Sequence, residues 1–188
     1  ISVAVRELCN QLRTNDPRVF ANASVFVPFN YICDYSEAEC IAVFQALKEN
    51  TSVKHIELIL FARHCTNRSA LVVEEYLESS KTLQTLILAS GQYYQELPAA
   101  LSLLIRALSR NTSVTELIVY TDAVRFASVS FQELLTCTQT LRKLKIVSFR
   151  NEEFNEMQMA AITSAFANNT TLRDLELNSW GEAGVAPV

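Results

Sequence analysis

The sequence predicts an α/β fold: a solenoid forming a short curved arc, with a parallel sheet on its concave side and helices on its convex side. Three observations lead to this prediction. A strand-like pattern recurs at separations of 27 to 31 residues, a helix-like pattern fills each interval, and a cluster of Asn, Ser and Thr joins each helix to the next strand. One short strand and one helix cannot bury their apolar sides alone, so such units are stable only when stacked. Because helices need about 10 Å of lateral room and strands about 4.8 Å, the stack curves with the sheet inside.

Five segments carry the strand pattern, and each is apolar at its first, fourth and sixth positions. They are VKHIELILF from Val53, LQTLILASG from Leu83, VTELIVYTD from Val114, LRKLKIVSF from Leu141 and LRDLELNSW from Leu172. A half-apolar composition would rarely give this agreement in five segments by chance. Since side chains alternate along a strand, these positions are expected to face the helices, and the third, fifth and seventh positions the concave side.

Helical patterns fill the intervals between the strands. Ser36 and Glu39 have the spacing of a capping box, Ser130 and Glu133 repeat it, and Pro98 suits the first turn of a helix. The predicted helices are SEAECIAVFQALKEN from Ser36, SALVVEEYLESS from Ser69, LPAALSLLIRALSRN from Leu97, SFQELLTCT from Ser130 and NEMQMAAITSAFANN from Asn155.

We predict one solenoid domain over residues 1–188. Residues 1–35 are interpreted as a degenerate first unit or cap, with a helix in SVAVRELCNQLRTN and an edge strand in ASVFVPF. Residues 36–180 form five strand-bearing repeats, and residues 181–188 form a tail. Trp180 ends a strand with no following cap, so we expect a truncated chain. Whether further repeats flank it is left open by the sequence.

Composition and charge exclude several classes of function. The net charge is −4 and the Lys and Arg residues are scattered, which gives no footprint for a nucleic-acid binder. No apolar run approaches the roughly 20 residues needed to span a bilayer, so we expect no membrane insertion. The five cysteines are widely spaced without a CxxC pair, which favours isolated thiols in a reducing compartment over a disulfide scaffold or a zinc site. We expect no cofactor and no metal.

The junction motif NTSV, at 50–53 and 111–114, and NTTL at 169–172 allow two interpretations. Asn-x-Ser/Thr is an N-glycosylation acceptor, which would place the protein outside the cell. Alternatively, Asn50, Asn111 and Asn169 end helices in a left-handed conformation, and the following Thr and Ser make the turn into the strand. Their common phase in the repeat favours the structural interpretation, and with it an intracellular, cytoplasmic location.

Three stretches resemble leucine-rich repeats of the ribonuclease-inhibitor type, which join a helix ending in an AL..N turn to an LxxLxL strand. They are FQALKENTSVKHIELILF, LIRALSRNTSVTELIVY and ITSAFANNTTLRDLELNSW, and the resemblance covers residues 36–180. The family includes ribonuclease inhibitor, tropomodulin, activators of the Ran GTPase and the sensing arms of innate immune receptors. The resemblance implies binding of other proteins, mostly with the concave face.

One departure from this family concerns the bend after each strand. The family usually carries Asn or Cys three residues beyond the sixth strand position, where the side chain satisfies backbone groups. Here other residues occupy those places, so the backbone must be satisfied in another way. They are Phe61, Gly91, Asp122, Phe149 and Trp180.

Chemical motifs are weak. His64 and Cys65 are adjacent, but neighbours on an extended segment point in opposite directions and rarely converge on one ion. The carboxylate pair Glu74–Glu75 is expected on a solvated helix surface. The sequence contains no Gly-rich phosphate loop, GxSxG or HExxH, so we do not expect an enzyme.

The predicted partner site is the concave face of the sheet. An apolar centre of Ile87, Ala89, Ile118 and Tyr120 with charged residues around it is the usual layout of a protein-binding hot spot. The alternative is that these residues are apolar only because such side chains favour β-strands, and that they bind no partner. The predicted face comprises His55, Glu57, Ile59, Thr85, Ile87, Ala89, Glu116, Ile118, Tyr120, Lys143, Lys145, Val147, Asp174, Glu176 and Asn178.

The sequence therefore predicts a non-enzymatic protein–protein interaction module, an adaptor or scaffold that binds a protein partner. Two alternatives stay open. The chain could be a structural subunit of a larger assembly, held through its helices or loops. It could also be a regulator of the GTPase-activator kind, which needs an exposed Arg or Asn on a loop, and Arg63, Arg68 and Arg125 are the arginines considered.

Overall fold

The computed structural model of the chain describes residues 1–15, 24–28, 36–60, 67–90, 97–120, 129–148 and 156–179. In these residues helices and strands alternate, and each strand follows one helix. The helices are α1 (Val3–Thr14), α2 (Glu37–Glu49), α3 (Asn67–Ser79), α4 (Leu97–Arg110), α5 (Val129–Cys137) and α6 (Glu156–Asn168). The strands are β1 (Ser24–Pro28), β2 (His55–Leu60), β3 (Thr85–Ser90), β4 (Glu116–Tyr120), β5 (Lys143–Ser148) and β6 (Asp174–Ser179).

The described strands form one parallel sheet of six strands in the order of the chain, β1 to β6. Ile56 pairs with Leu86, Leu86 with Leu117 and Leu117 with Leu144, so the strands stack in the register that the repeat predicts. The predicted α/β arc, with the sheet on the concave side, is confirmed. The first unit contributes β1 as a sixth strand, which pairs with β2 at the edge of the sheet.

The core lies between the sheet and the helices. In the four repeats from Val53 to Ile146, the side chains at the first, fourth and sixth positions are at most 3% exposed. Helix residues such as Leu47 and Leu77 complete the same apolar cluster. Each fully buried Leu or Ile contributes roughly 2 kcal/mol, so this layer is the main source of stability. In the last unit Leu175 and Leu177 are only partly buried.

Several helix boundaries follow from the predicted caps. Ser36 and Glu39 form the predicted capping box: Ser36 N–H donates to Glu39 Oε2 at 2.8 Å, and Glu39 N–H donates to the Ser36 hydroxyl. Pro98 is the second residue of α4, as predicted for a first-turn position. The cap predicted at Ser130 is wrong, because α5 already begins at Val129 and Ser130 lies inside the helix.

The conformation predicted for the junction asparagines is also wrong. Asn50 is extended (φ −89°, ψ 132°), and among the described residues other than glycine only Asn15 has a positive φ, 56°. Asn50, Asn111 and Asn169 are therefore not left-handed. The physical reason is that their side chains, rather than a left-handed backbone, satisfy the helix end and make the turn.

Asn111 shows how this junction works. Its Nδ2 donates to the carbonyl of Leu77 near the end of the preceding unit's helix, at 2.6 Å. Its Oδ1 accepts from the backbone N–H groups of Ser113 and Val114, each at 2.7 Å. Asn50 and Asn169 repeat both sets of bonds in their own units. One side chain thus joins two successive units and turns the chain into the next strand.

Ser80 and Thr138 take the place of Asn in the intervening units. Their hydroxyls accept from the backbone N–H groups of Leu83 and Leu141, each at 3.3 Å. A hydroxyl is too short to reach the preceding helix as the amide does, so these two junctions keep only the turn-forming half of the interaction.

Some sequence predictions fall outside the described residues. They concern His64 and Cys65, the bend positions Phe61, Gly91, Asp122, Phe149 and Trp180, and Arg63 and Arg125. None of the helices in the described ranges is long and apolar enough to cross a membrane.

Candidate partner-binding face

The sheet register brings the predicted site residues together on the face opposite the helices, in three rows that run across the strands. The first row is His55, Thr85, Glu116, Lys143 and Asp174. The middle row is Glu57, Ile87, Ile118, Lys145 and Glu176. The third row is Ala89, Tyr120 and Val147, and Ile59 and Asn178 occupy the same register position in β2 and β6.

The centre of the face is apolar. Ile87 pairs with Ile118, and Ala89 pairs with Tyr120, so the four lie on adjacent strands about 4.8 Å apart. All four are half-buried, while Val147 beside Tyr120 is 2% exposed. We name Ile87, Ile118, Ala89 and Tyr120 the apolar ridge. No helix covers this side of the sheet in the described residues, and the half-buried ridge side chains keep part of their surface in contact with solvent.

An ion-pair network fills the side of the face toward β6. Lys143 Nζ lies 3.6 Å from Glu116, 3.5 Å from Glu176 and 3.9 Å from Asp174. Lys145 Nζ lies 2.8 Å from the second oxygen of Glu176. The register causes this arrangement, because it sets Lys143 between Glu116 and Asp174, and Lys145 beside Glu176.

The network shifts the pKa values of two of its members, Lys143 and Glu176, toward the charged forms. The carboxylates of Glu176 and then Glu116 raise the pKa of Lys143. The hydrogen bond from Lys145 lowers the pKa of Glu176. Lys143 and Glu176 therefore stay charged over the physiological range, and the charges of the network compensate one another within the chain.

The side of the face toward β1 has a different character. His55 and Glu57 are half-buried on β2, and no described residue makes an ion pair or hydrogen bond with either side chain. Thr85 on β3 donates from its hydroxyl to Glu116 at 3.3 Å, away from Glu57. Among the described residues, the charges of the predicted rim are thus paired with opposite charges on the side toward β6, whereas Glu57 on the side toward β1 is not.

The convex side carries the remaining polar candidates. Glu75 pairs with Lys48 and Glu78 with Arg110 at 2.8 Å, so these carboxylates join α3 to its two neighbouring helices. Arg68 is exposed at the start of α3. A groove of about 370 Å³ follows α3, and Leu71 in it is 55% exposed. No sequence signal marked this groove, which is lined mainly by α3, with Arg110 contributed by the next repeat.

The remaining candidates for thiol or metal chemistry in the described ranges are the cysteines and possible clusters of metal-binding side chains. Cys9 and Cys40 are buried, Cys137 is exposed, and none of these three forms a disulfide. Burial raises the pKa of the Cys9 thiol, which keeps it protonated. The described ranges contain no group of three His, Cys, Asp or Glu residues that could hold a metal ion.

A parallel sheet built one strand per unit, with a helix behind each strand, defines a fold of the leucine-rich-repeat type. The sequence matches no protein-family model and no curated protein. Among solved structures, the C-terminal domain of tropomodulin from Caenorhabditis elegans is similar, with a TM-score of 0.57 over 88% of this chain and 92% of that chain. Actin-binding site 2 of leiomodin-1 is similar with a TM-score of 0.56 over 90% of each chain. The identities are 17% and 19%, so the likeness shows the fold.

Proposed function

We propose that this protein is a non-enzymatic interaction module, an adaptor or scaffold, that binds a protein partner through the concave face. The apolar ridge is the observation that carries the proposal. Its four adjacent apolar side chains are half-buried on a sheet face that no described helix covers, so part of a contiguous apolar surface reaches solvent, and such surface marks interaction sites. Stacked-repeat proteins use such a face for binding because it is long, rigid and shaped by every unit.

The repeat type supports the same proposal. Each described unit has a full helix behind its strand, from 9 residues in α5 to 14 in α4, which favours the ribonuclease-inhibitor type over repeats with shorter convex segments. Leiomodin-1 contributes a specific candidate, since the similar part of that protein is named as an actin-binding site. Actin is therefore the first partner to test.

An intracellular location is part of the proposal. The Nδ2 atoms of Asn50 and Asn111 are the atoms that N-glycosylation would modify, and each donates a hydrogen bond inside the fold at 2.6 Å. The two residues are 7% and 2% exposed. A glycan at either place would displace these bonds, which supports an environment without glycosylation.

Two substitutions on the ridge test the function. Ile118→Lys places a charge at the centre of the ridge, and Tyr120→Ala removes an aromatic anchor. Each should weaken partner binding about tenfold or more, because a hot-spot residue contributes at least about 1.4 kcal/mol. Leu71→Lys is the control, since it introduces the same charge at an exposed aliphatic residue on the convex side. Binding to purified actin monomers and filaments is measured first by sedimentation, and pull-down from cell extract with mass spectrometry extends the search.

Thermal unfolding separates binding defects from misfolding. Ile118 lies on the face opposite the helices, so Ile118→Lys should melt within a few degrees of the wild type, and the melting temperature of Tyr120→Ala is measured beside it. Partner binding that survives both changes would contradict the concave assignment.

The convex groove favours a second candidate function, a structural subunit held through its helices. Leu71 is exposed there beside the carboxylates of α3. This candidate is supported if Leu71→Lys, and not Ile118→Lys, abolishes co-purification with partners at fixed stoichiometry. A GTPase-activating role stays a prediction, and a turnover assay comparing Arg68→Ala with the wild type tests it.

A further inference from the structure

We propose that the partner of the concave face presents a lysine or arginine side chain next to an aliphatic or aromatic anchor, and that Glu57 receives this cation. The inference rests on the proposed function, because it names the chemistry of the partner for the same face. It is carried by the position beside the apolar ridge of one carboxylate that no charged group among the described residues compensates.

Glu57 adjoins the ridge directly. It pairs with Ile87 in the register, and Ile87 pairs with Ile118, so Glu57 lies one strand from the ridge, about 4.8 Å away. Its side chain is half-buried, and it makes no hydrogen bond or ion pair with a described residue. Lys54, exposed in the preceding turn, forms no ion pair with it. Within the described chain, Glu57 is a charge without a counter-charge.

The opposite end of the same row differs in this respect. Lys145 lies one strand beyond Ile118, and its ammonium group is held by Glu176 at 2.8 Å. Lys143 is likewise surrounded by carboxylates. The charges at this end are already paired within the chain and need no charged group from a partner. Glu57 is therefore the charged residue of this row that a partner has to neutralise.

Because Glu57 loses its water when a partner covers the face, the unpaired carboxylate determines which partners can bind. A stable interface covers roughly 800 Å² on each partner, so a molecule that covers the ridge also covers a residue one strand away. Covering the Glu57 carboxylate with apolar or acidic surface would remove its water without replacing the hydrogen bonds, which is strongly unfavourable. A lysine or arginine replaces them, and the planar guanidinium of arginine can do so with two bonds. The apolar anchor must lie beside this cation, because the ridge begins on the adjacent strand.

The test selects peptides on the chain itself. A phage-displayed library of random peptides is panned on the immobilised 188-residue protein, with counter-selection on Ile118→Lys. Peptides that need the ridge are then sequenced, synthesised with a fluorophore and titrated by anisotropy. The titrations use the wild type, Glu57→Lys, Glu57→Gln and the matched control Glu74→Lys, which makes the same change on the convex side. Glu57→Gln provides a second reading that does not introduce a new charge into the sheet.

We expect the ridge-dependent peptides to carry Lys or Arg beside an aliphatic or aromatic residue. Their affinity should fall about tenfold or more on Glu57→Lys, fall less on Glu57→Gln, and change less than about twofold on Glu74→Lys. Ridge-dependent peptides that bind Glu57→Lys unchanged, or that are acidic, would overturn the inference and leave the proposed function standing. If no selected peptide depends on Ile118, the result would contradict both this inference and the proposed function.

Discussion

Replacing Asn111 by Ala should reveal how much one junction side chain contributes to the stack. The substitution removes two bonds donated by Nδ2, to the carbonyls of Leu77 (2.6 Å) and Ser80 (3.3 Å). It also removes two backbone bonds accepted by Oδ1, from the N–H groups of Ser113 and Val114, each at 2.7 Å, besides a weaker bond from the Ser113 hydroxyl at 3.2 Å. Asn111 is only 2% exposed, so water does not readily replace these partners.

The magnitude follows from these four bonds. A buried hydrogen bond contributes about 1 kcal/mol net, and a buried group left without a partner adds about 1 kcal/mol or more. Allowing for partial relaxation, we expect Asn111→Ala to lower the free energy of unfolding by about 3–4 kcal/mol. For a domain of this size the melting temperature should fall by roughly 10 °C. That is a large share of the 5–15 kcal/mol typical of a folded domain.

Urea unfolding followed by far-UV circular dichroism measures this effect. Asn111→Ser should lie between Ala and the wild type, because Ser80 and Thr138 already show that a hydroxyl can keep the turn at this position. Asn168→Ala is the control: Asn168 is exposed and bonds only within its own helix, so its loss should stay within about 0.5 kcal/mol. Equal and small losses for Asn111→Ala and Asn168→Ala would refute the reasoning that the amide joins successive units.

Two further predictions concern the first units. Backbone hydrogen bonds lower the pKa of Glu39 from 4.5 to about 2, so its stabilisation is fully present above about pH 4.5 and is lost as the pH falls toward 2. Glu39→Gln should lower the free energy of unfolding by about 1–3 kcal/mol at pH 7, and the variant should lose less stability than the wild type on acidification. Urea unfolding midpoints measured across that pH range test this, and equal losses for the two proteins would contradict it. Phe44 is 1% exposed with its ring centroid 5.5 Å from that of Tyr76, so Phe44→Ala should cost about 3–5 kcal/mol. The 39% exposed Phe166, changed to Ala, should cost much less in the same unfolding assay, and a similar cost for both would contradict this core assignment.

Periodicity was sufficient to predict the architecture because burial is repeated at every unit. Ile56 and Leu58, at the fourth and sixth positions, are at most 1% exposed, as their phase requires. The same alternation placed Ile87 and Ile118 on the open face. A period-2 pattern leaves no freedom in this choice, since a one-residue slip would bring the apolar positions to solvent.

Local statistics were insufficient at the junctions. Asn at a helix end suggests a left-handed residue, but Asn111 has a partner, the Leu77 carbonyl, that lies one repeat earlier in the chain. A bond across 34 residues leaves no trace in the neighbouring sequence. The start of α5 at Val129 rather than Ser130 is a smaller error of the same kind.

The sequence by itself determined the unit, its phase and the two faces of the sheet, because each depends only on alternation within one strand and one helix. Tertiary structure alone decided which charges meet. Lys143 reaches Glu116 and Glu176, which are 27 and 33 residues away, only because adjacent parallel strands align these positions. The same alignment leaves Glu57 beside Ile87 with no counter-charge among the described residues, so the electrostatic character of the face is a property of the register between repeats.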